Sequence, residues 1–331
     1  MYKKKSEALF MSQDAPAHPK PRLGISACLL GEPVRFNGGH KESRLCSRTL
    51  ARYFDFVPVC PEVAIGLGTP REAIRLVGDP AMPRAVNRDG SRDLSEPLTA
   101  YGERMAGELD DLCGYIFMQK SPSCGLHRVK VYQANGIPAE EGGRGLFTEA
   151  FCKRHPELPV EEEGRLCDPV LRENFLTRVF ACARWRALCA SGLTRRGILE
   201  FHARYKYQLM AHDPQQYHAL GRLLGDIGKH APEKFGPPYF RQLMAALARC
   251  ATRGTHSNVL QHISGYLKGS LGRDEKAEMQ RLIEQYRNGI VPLVVPLTLL
   301  KHHFARHPDP YIAQQAYLQP HPEDLSLRNA I

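Results

Sequence analysis

No run of about eighteen apolar residues occurs in this sequence, so no segment reads as a membrane-spanning helix. Lys3, Lys4 and Lys5 have no apolar stretch behind them, which is not the pattern of a secretion signal. There is no C-x-x-C pair, no ferredoxin-type cysteine run and no internal repeat. Ten cysteines in 331 residues are too few for a disulfide scaffold. A cytoplasmic location with reduced thiols is therefore expected, where cysteines more often bind metals or do chemistry. With 43% apolar residues the chain can bury a sizeable core, and its length favours two domains over one.

Three of the ten cysteines share one setting. The segment from Cys113 through Tyr115, Ile116 and Phe117 is an apolar run suited to a buried strand, and it stops abruptly at Ser121-Pro122-Ser123-Cys124-Gly125. A short apolar segment from Leu23 likewise carries Cys28 into a turn at Gly31, and the run Phe54–Val59 carries Cys60 into Pro61. Three parallel strands would bring Cys28, Cys60 and Cys124 to one edge of one sheet, the rim where open α/β sheets hold their ligands. Such a trio fits zinc with a water as fourth ligand, an iron–sulfur cluster, or three unconnected core thiols. The residues alone leave these open. Cys46, Cys113, Cys152, Cys167, Cys182, Cys189 and Cys250 read mostly as small buried apolar residues, with Cys182 and Cys189 on one helical face.

The chain falls into three parts. Residues 1–19, with Pro16 and Pro19, read as a flexible tail. Residues 20–169 alternate strand and helix: strands ending at Cys28, over 55–59, 74–77, before Ser121, at 129–132 and at 158–160, and helices over 44–53, 96–112 and 146–155. This alternation predicts a Rossmann-like parallel sheet with helices on both faces. Gly78 to Gly90 is rich in turn residues and reads as a hairpin. Beyond Pro169 the strand signal vanishes, and residues 170–331 read as an all-α domain. Its helices are expected over 171–191, 194–211, 217–227, 239–251, 259–267 and 274–288, broken at Pro237-Pro238 and Gly254 among others. Asp274 reads as an N-cap, and 290–300, with Pro292 and Pro296, as irregular before a short helix at 298–305.

Charge divides the same way. Residues 1–169 hold 23 basic and 23 acidic side chains, whereas residues 170–331 hold 22 and 12, so the whole +10 excess lies in the second half. A neutral half that does chemistry joined to a basic half that grips a polyanion is one reading; a basic protein with no nucleic-acid partner is the other. Arg195, Arg196, Arg204, Lys206, Arg249, Arg253 and Lys268 are the candidates for phosphate contacts, with Tyr205 and Tyr207 as stacking partners. No membrane and no obligate protein partner is expected.

The motifs Ser26-Ala27-Cys28-Leu29-Leu30-Gly31, Val59-Cys60-Pro61-Glu62 and Ser121-Pro122-Ser123-Cys124-Gly125, with Phe36-Asn37-Gly38 and Thr69-Pro70-Arg71, resemble those of the thiouracil desulfurases. This resemblance covers roughly residues 20–168. The second half, through Phe201–Tyr207, Thr252–His262 and Pro292–Lys301, resembles the YbgA-type helical domain. The two-part arrangement is similar to bacterial desulfidases that remove the sulfur of 4-thiouridine from tRNA. The resemblance implies a [4Fe–4S] cluster held by Cys28, Cys60 and Cys124, with one iron left unligated by protein for the substrate sulfur. It also implies Glu62 as general base for an attacking water and Ser121 as proton donor to the ring nitrogen or departing sulfur, in a non-redox, hydrolase-like reaction. A plainer role is open to each: Glu62 as an N-cap after Pro61, Ser121 as a turn hydroxyl. The expected substrate is tRNA containing 4-thiouridine. Free thiouracil, or a non-catalytic RNA-binding protein stabilised by its metal, are the alternatives.

Overall fold

The computed structural model describes residues 20–325 and 327–331, so the tail expected at 1–19 lies outside the described residues. The chain divides into two compact units, the first ending at Cys167 and the second running from Asp168 to Ile331.

The first unit contains, in order, β1 (Arg22–Ser26), β2 (Asp55–Val59), α1 (Pro61–Ala64), β3 (Arg75–Asp79), β4 (Met82–Val86), α2 (Ser95–Glu108), β5 (Gly114–Phe117), β6 (Val131–Tyr132), α3 (Leu146–Arg154) and β7 (Val160–Glu162). Strands β2, β1, β5 and β7 lie side by side in that order, all parallel. From β1 the chain goes first to β2 on one side and later to β5 on the other, so the strand order reverses at β1. A crevice opens at the carboxyl ends of strands at such a point. β5 is buried throughout, as a strand covered on both faces must be. Gly24 faces Tyr115 in the register, and a Cβ there would stand 2.2 Å from the tyrosine ring, so only glycine lets that ring lie across β1. Tyr115 stacks on Phe117 at 4.0 Å, and Phe151 of α3 meets Tyr115 edge-on at 5.2 Å. With Leu109, Leu112 and Phe147 they form the core that clamps α2 and α3 to the sheet, each fully buried side chain contributing about 1.5–3 kcal/mol.

The expected hairpin is present as the antiparallel pair β3–β4, but it does not join the parallel sheet: with β6 it forms a separate three-stranded sheet. Residues 44–53, expected as a helix, form one wide turn (Leu45–Thr49) followed by one tight turn (Leu50–Arg52). Only Cys46 and Leu50 are buried there, too little apolar surface to hold a full α-helix.

The second unit is helical: α4 (Pro169–Ala190), α5 (Arg195–His212), α6 (Pro214–Gly225), α7 (Pro232–Leu247), α8 (Arg253–Ser264), α9 (Arg273–Arg287), α10 (Val294–Arg306) and α11 (Pro310–Ala313). Three breaker readings fail here. Pro237 and Pro238 lie inside α7, held there because Phe240 stacks on Trp185 at 4.8 Å and Gly236 lets Trp185 approach; this packing overrides local propensity. Pro296 sits in the first turn of α10, where a missing N–H costs nothing because those donors have no partner within the helix. Gly254 lies in the first turn of α8, which the Thr252–Thr255 capping box secures. Asp274 is not the N-cap of α9: that position is Gly272, two residues earlier, whose N–H donates to the Glu275 carboxylate at 2.8 Å.

Cys182 and Cys189 do not form a seam, since Cys182 is buried but Cys189 is exposed. Of the seven other cysteines, Cys46, Cys113 and Cys182 are buried, Cys152 is half-buried, and Cys167, Cys189 and Cys250 are exposed, so the expectation of mostly buried thiols fails for three of them.

Candidate active site

Each of the three cysteines follows the carboxyl end of a parallel strand, Cys60 directly, Cys28 two residues on and Cys124 seven residues on. Cys28 lies in the tight turn Ala27–Leu30 after β1, ended by Gly31 at φ +96°. Cys60 is the N-cap residue of α1, with its thiol 3.8 Å from the Val34 carbonyl. Cys124 follows β5 in the Ser121–Gly125 turn, with Ser123 Oγ 3.8 Å from its sulfur. Cys28 and Cys124 are buried, and Cys60 is half-buried.

The thiols feel one another. Burial pushes Cys28 up to about 11, and Cys60 adds to the shift. Burial likewise raises Cys124, again with Cys60 and then Glu62 adding to it. Burial also raises Cys60. Three such thiolates need a cationic group to share if all are to be ionised. Among the described residues, no three Cys, His, Asp or Glu side chains stand close enough to hold a single metal ion. A tetrahedral zinc, with Zn–S bonds of about 2.3 Å, would draw three sulfurs to within roughly 3.8 Å of each other. Three thiols that influence one another at one sheet rim are a donor set that a cluster can use, each thiolate taking a different iron.

Beside the thiols runs a polar chain across three segments. Arg71 Nε and Nη2 approach Glu62 Oε2 at 2.8 and 2.6 Å, with both side chains largely buried. The other carboxylate oxygen, Oε1, accepts the Ser123 hydroxyl at 2.6 Å. Ser123 Oγ lies 3.0 Å from Ser121 Oγ. Ser121 also does the turn work expected of a plain hydroxyl, accepting the N–H groups of Ser123 and Cys124 at 3.3 and 3.1 Å. Arg71 is fixed in turn by the carbonyls of Val34 and Gly68 at 2.9 and 2.8 Å. Glu62 lies in the first turn of α1 but caps nothing; that position is Cys60's.

Glu62 and Ser121 thus belong to one hydrogen-bonded chain, but they do not touch. Ser123 joins them and Arg71 anchors them, and neither role was legible. Arg71 lies in the Thr69-Pro70-Arg71 motif, nine residues after Glu62, and that proximity in sequence is the signal that points to it.

In the second unit the structure rearranges the expectations. Tyr205 and Tyr207 are buried and cannot stack on bases; the Tyr205 hydroxyl accepts from Arg184 at 2.9 Å. Arg195 and Arg253 donate to backbone carbonyls, while Arg196 and Arg249 pair with Glu200 and Asp213. Lys206 lies over the rings of Tyr207 and Tyr311. Lys268 is exposed.

Residues 23–163 match the family model described as 2-thiouracil desulfurase, and residues 206–322 match one described as a protein of unknown function (DUF1722). The uncharacterized protein YbgA of Escherichia coli (strain K12) is 32% identical over 159 residues, which is 48% of this chain and 94% of YbgA. The solved structure of the [4Fe-4S]-dependent thiouracil desulfidase TudS is 29% identical and covers 45% of this chain and 94% of its own, with a TM-score of 0.36.

Proposed function

Because the chain belongs to the family of YbgA and carries a 2-thiouracil desulfurase domain over residues 23–163, we propose that it is a [4Fe–4S]-dependent desulfidase that converts a thiolated uracil to uracil. The observation that carries this reading is that Cys28, Cys60 and Cys124 follow the three adjacent parallel strands β1, β2 and β5, with the Glu62 carboxylate hydrogen-bonded to Ser123 next to Cys124. Cys28, Cys60 and Cys124 would hold the cluster, which when bound supplies a Lewis-acidic iron whose preference for soft ligands favours a thiocarbonyl sulfur over an oxygen.

The protein's own groups manage the protons. A carboxylate offers about four acceptor directions. Arg71 takes two on Oε2 and Ser123 takes one on Oε1. One direction on Oε1 remains for a water, which Glu62 deprotonates as the water adds to the C=S carbon. Arg71 keeps the carboxylate in place while it does so. Ser123 and Ser121 provide a path by which that proton reaches the ring nitrogen or the departing sulfur. The thiobase and water give the oxo-base and hydrogen sulfide, with no net transfer of electrons.

The substrate we favour is 4-thiouridine in tRNA, supported by a second unit that carries nearly all of the basic excess of the chain. Free thiouracil is the second reading, supported by the confinement of every reactive group above to the unit ending at Cys167. Incubating iron-loaded protein with bulk tRNA and with 4-thiouracil, and following the loss of thiocarbonyl absorbance, tests both. No loss with either, and colourless protein holding one zinc, would leave a metal-stabilised RNA-binding protein instead.

A further inference from the structure

A cavity of about 650 Å³ borders the segment that carries the candidate site. Gln119 and Lys120, which lead into Ser121, and Leu126, His127 and Arg128, which follow Gly125, form one part of its wall. Gly142–Arg144, Glu162 and Arg165 form much of the rest. The volume falls in the range of small-molecule sites, about 300–1,000 Å³.

Four cations line it, and two of them are uncommitted. Arg144 pairs with Glu149 at 3.0 Å, and Arg165 pairs with Glu161 at 2.7 Å. Lys120 and Arg128 have no acidic partner among the described residues and are exposed. The one lining carboxylate, Glu162, is buried and turned to the backbone: its Oε1 accepts the N–H groups of Leu126 and His127 at 2.8 and 3.0 Å. It shapes the loop and leaves the lysine and arginine charge unopposed.

Lys120 and Arg128 are also the only described non-glycine residues with positive φ, at 60° and 50°. A left-handed backbone costs such residues roughly 1–2 kcal/mol each, and strain of this kind collects at functional sites. The wall is braced against the candidate site itself. A Cβ on Gly142 would lie 2.4 Å from Arg128 Cα, and one on Gly145 would lie 2.4 Å from the Ser123 carbonyl oxygen. The same glycine-rich loop therefore seats Arg128 and the Ser121–Gly125 turn together, and Gly145 N–H donates to the Gly125 carbonyl at 2.8 Å.

We infer that this cavity binds a phosphate group of the nucleotide whose thiolated base enters the site, with Lys120 and Arg128 as its main contacts. The inference rests on the desulfidase reading. It moves substrate recognition into the catalytic unit, whose balanced overall charge conceals a local cationic pocket.

The test is calorimetric binding of uridine, UMP and a short uridine oligonucleotide to full-length, iron-loaded protein. UMP should bind at least about tenfold more tightly than uridine, the scale of one charge-assisted hydrogen bond. Arg128→Asn, which tolerates the left-handed backbone, should erase most of that advantage without changing iron content, and Lys120→Asn should do the same. Lys153→Ala, on α3 and away from the cavity, should leave the advantage intact. UMP and oligonucleotide binding alike identifies a nucleotide phosphate in general; oligonucleotide preference alone identifies an RNA backbone phosphate. Equal affinities for uridine, UMP and the oligonucleotide, or an advantage that survives both substitutions, would overturn the inference. Turnover of free thiouracil, measured in parallel, separates the two claims: turnover without phosphate preference sinks only the cavity, and phosphate preference without turnover on any thiolated substrate sinks only the desulfidase.

Discussion

Ser123 Oγ lies 2.6 Å from Glu62 Oε1, although 61 residues separate them in the chain. The contact joins the first turn of α1, after β2, to the turn after β5, two strands that are not neighbours in the sheet. It joins Glu62, Ser123 and Ser121 in one hydrogen-bonded chain, and it predicts an order of mutational effects. Glu62→Gln should retain the cluster and lower kcat by on the order of 10²–10⁴, the usual scale for a lost general base. Ser123→Ala should cost more than Ser121→Ala, because it breaks the link to the carboxylate. Equal losses would mean that the hydroxyls act independently.

Arg71 touches Glu62 and no reacting atom, so it is a positioning residue. Arg71→Ala should lower kcat more than it changes KM, since the carboxylate loses the two-point contact that holds it in place. Arg71→Lys should recover only part of the rate, because one ammonium cannot reproduce the two-point contact. An unchanged kcat in both variants would make the arginine a scaffold element only.

Cys28→Ala, Cys60→Ala and Cys124→Ala should each lose activity and bound iron, measured by metal analysis and visible absorbance. Cys182→Ala, within the core of the helical unit, and Cys189→Ala, on its surface, should spare both. Full iron and turnover in any of the first three would remove that residue from the ligand set.

Gly102 of α2 faces α3 so closely that an added Cβ would stand 2.8 Å from both Phe147 O and Ala150 Cβ. Gly102→Ala should destabilise the first unit by about 1–3 kcal/mol, the usual penalty for overpacking. Hydrogen exchange should then quicken in both α2 and α3. Unchanged protection would show that the helices can separate at no cost.

In the second unit, burial pushes Glu173 up, but His321 and then Arg328 outweigh it and hold the carboxyl down at about 2, against 4.5 ordinarily. Arg328 Nε lies 3.1 Å from one carboxylate oxygen, and the Leu327 N–H lies 3.2 Å from the other. A carboxyl depressed on folding stabilises fully above its unfolded value, and that stability is lost as pH falls from about 5 towards 2. The contribution is on the order of 3 kcal/mol. Trp185, the sole tryptophan, is buried in α4, the helix that also carries Glu173, and reports the unit's unfolding by fluorescence. The stability gap between the wild type and Glu173→Gln should be widest near pH 6 and close towards pH 2. A gap independent of pH would mean that the carboxylate is not ionised when folded.

Binding of tRNA to the intact protein should weaken steeply between about 50 and 200 mM salt, and processing of free thiouracil should not, because only the polymer releases counterions. Tyr205→Phe and Tyr207→Phe should leave tRNA affinity unchanged, since both rings are buried. Equal salt slopes for the two substrates would make the free base the leading substrate.

Most of this architecture was legible because it is local. Apolar runs broken by Gly or Pro specify strands that end before Cys28, Cys60 and Cys124, and a strand-free second half specifies helices. Strand order was not legible, because pairing is set by non-local packing: the Gly24–Tyr115 fit puts β5 against β1, and the β3–β4 hairpin goes to a second sheet. Breaker residues misled for the same reason, since a proline such as Pro237 is tolerated when stacked aromatics hold the helix around it. Glu62 and Ser121 could be proposed because they lie in the motifs that carry Cys60 and Cys124. Ser123 and Arg71 could not be given roles until folding brought three separate segments within hydrogen-bond reach, and the burial of Tyr205 and Tyr207 was a decision of tertiary packing alone. A side chain's type limits the chemistry it can do; which partner it meets depends on contacts between residues far apart in the chain.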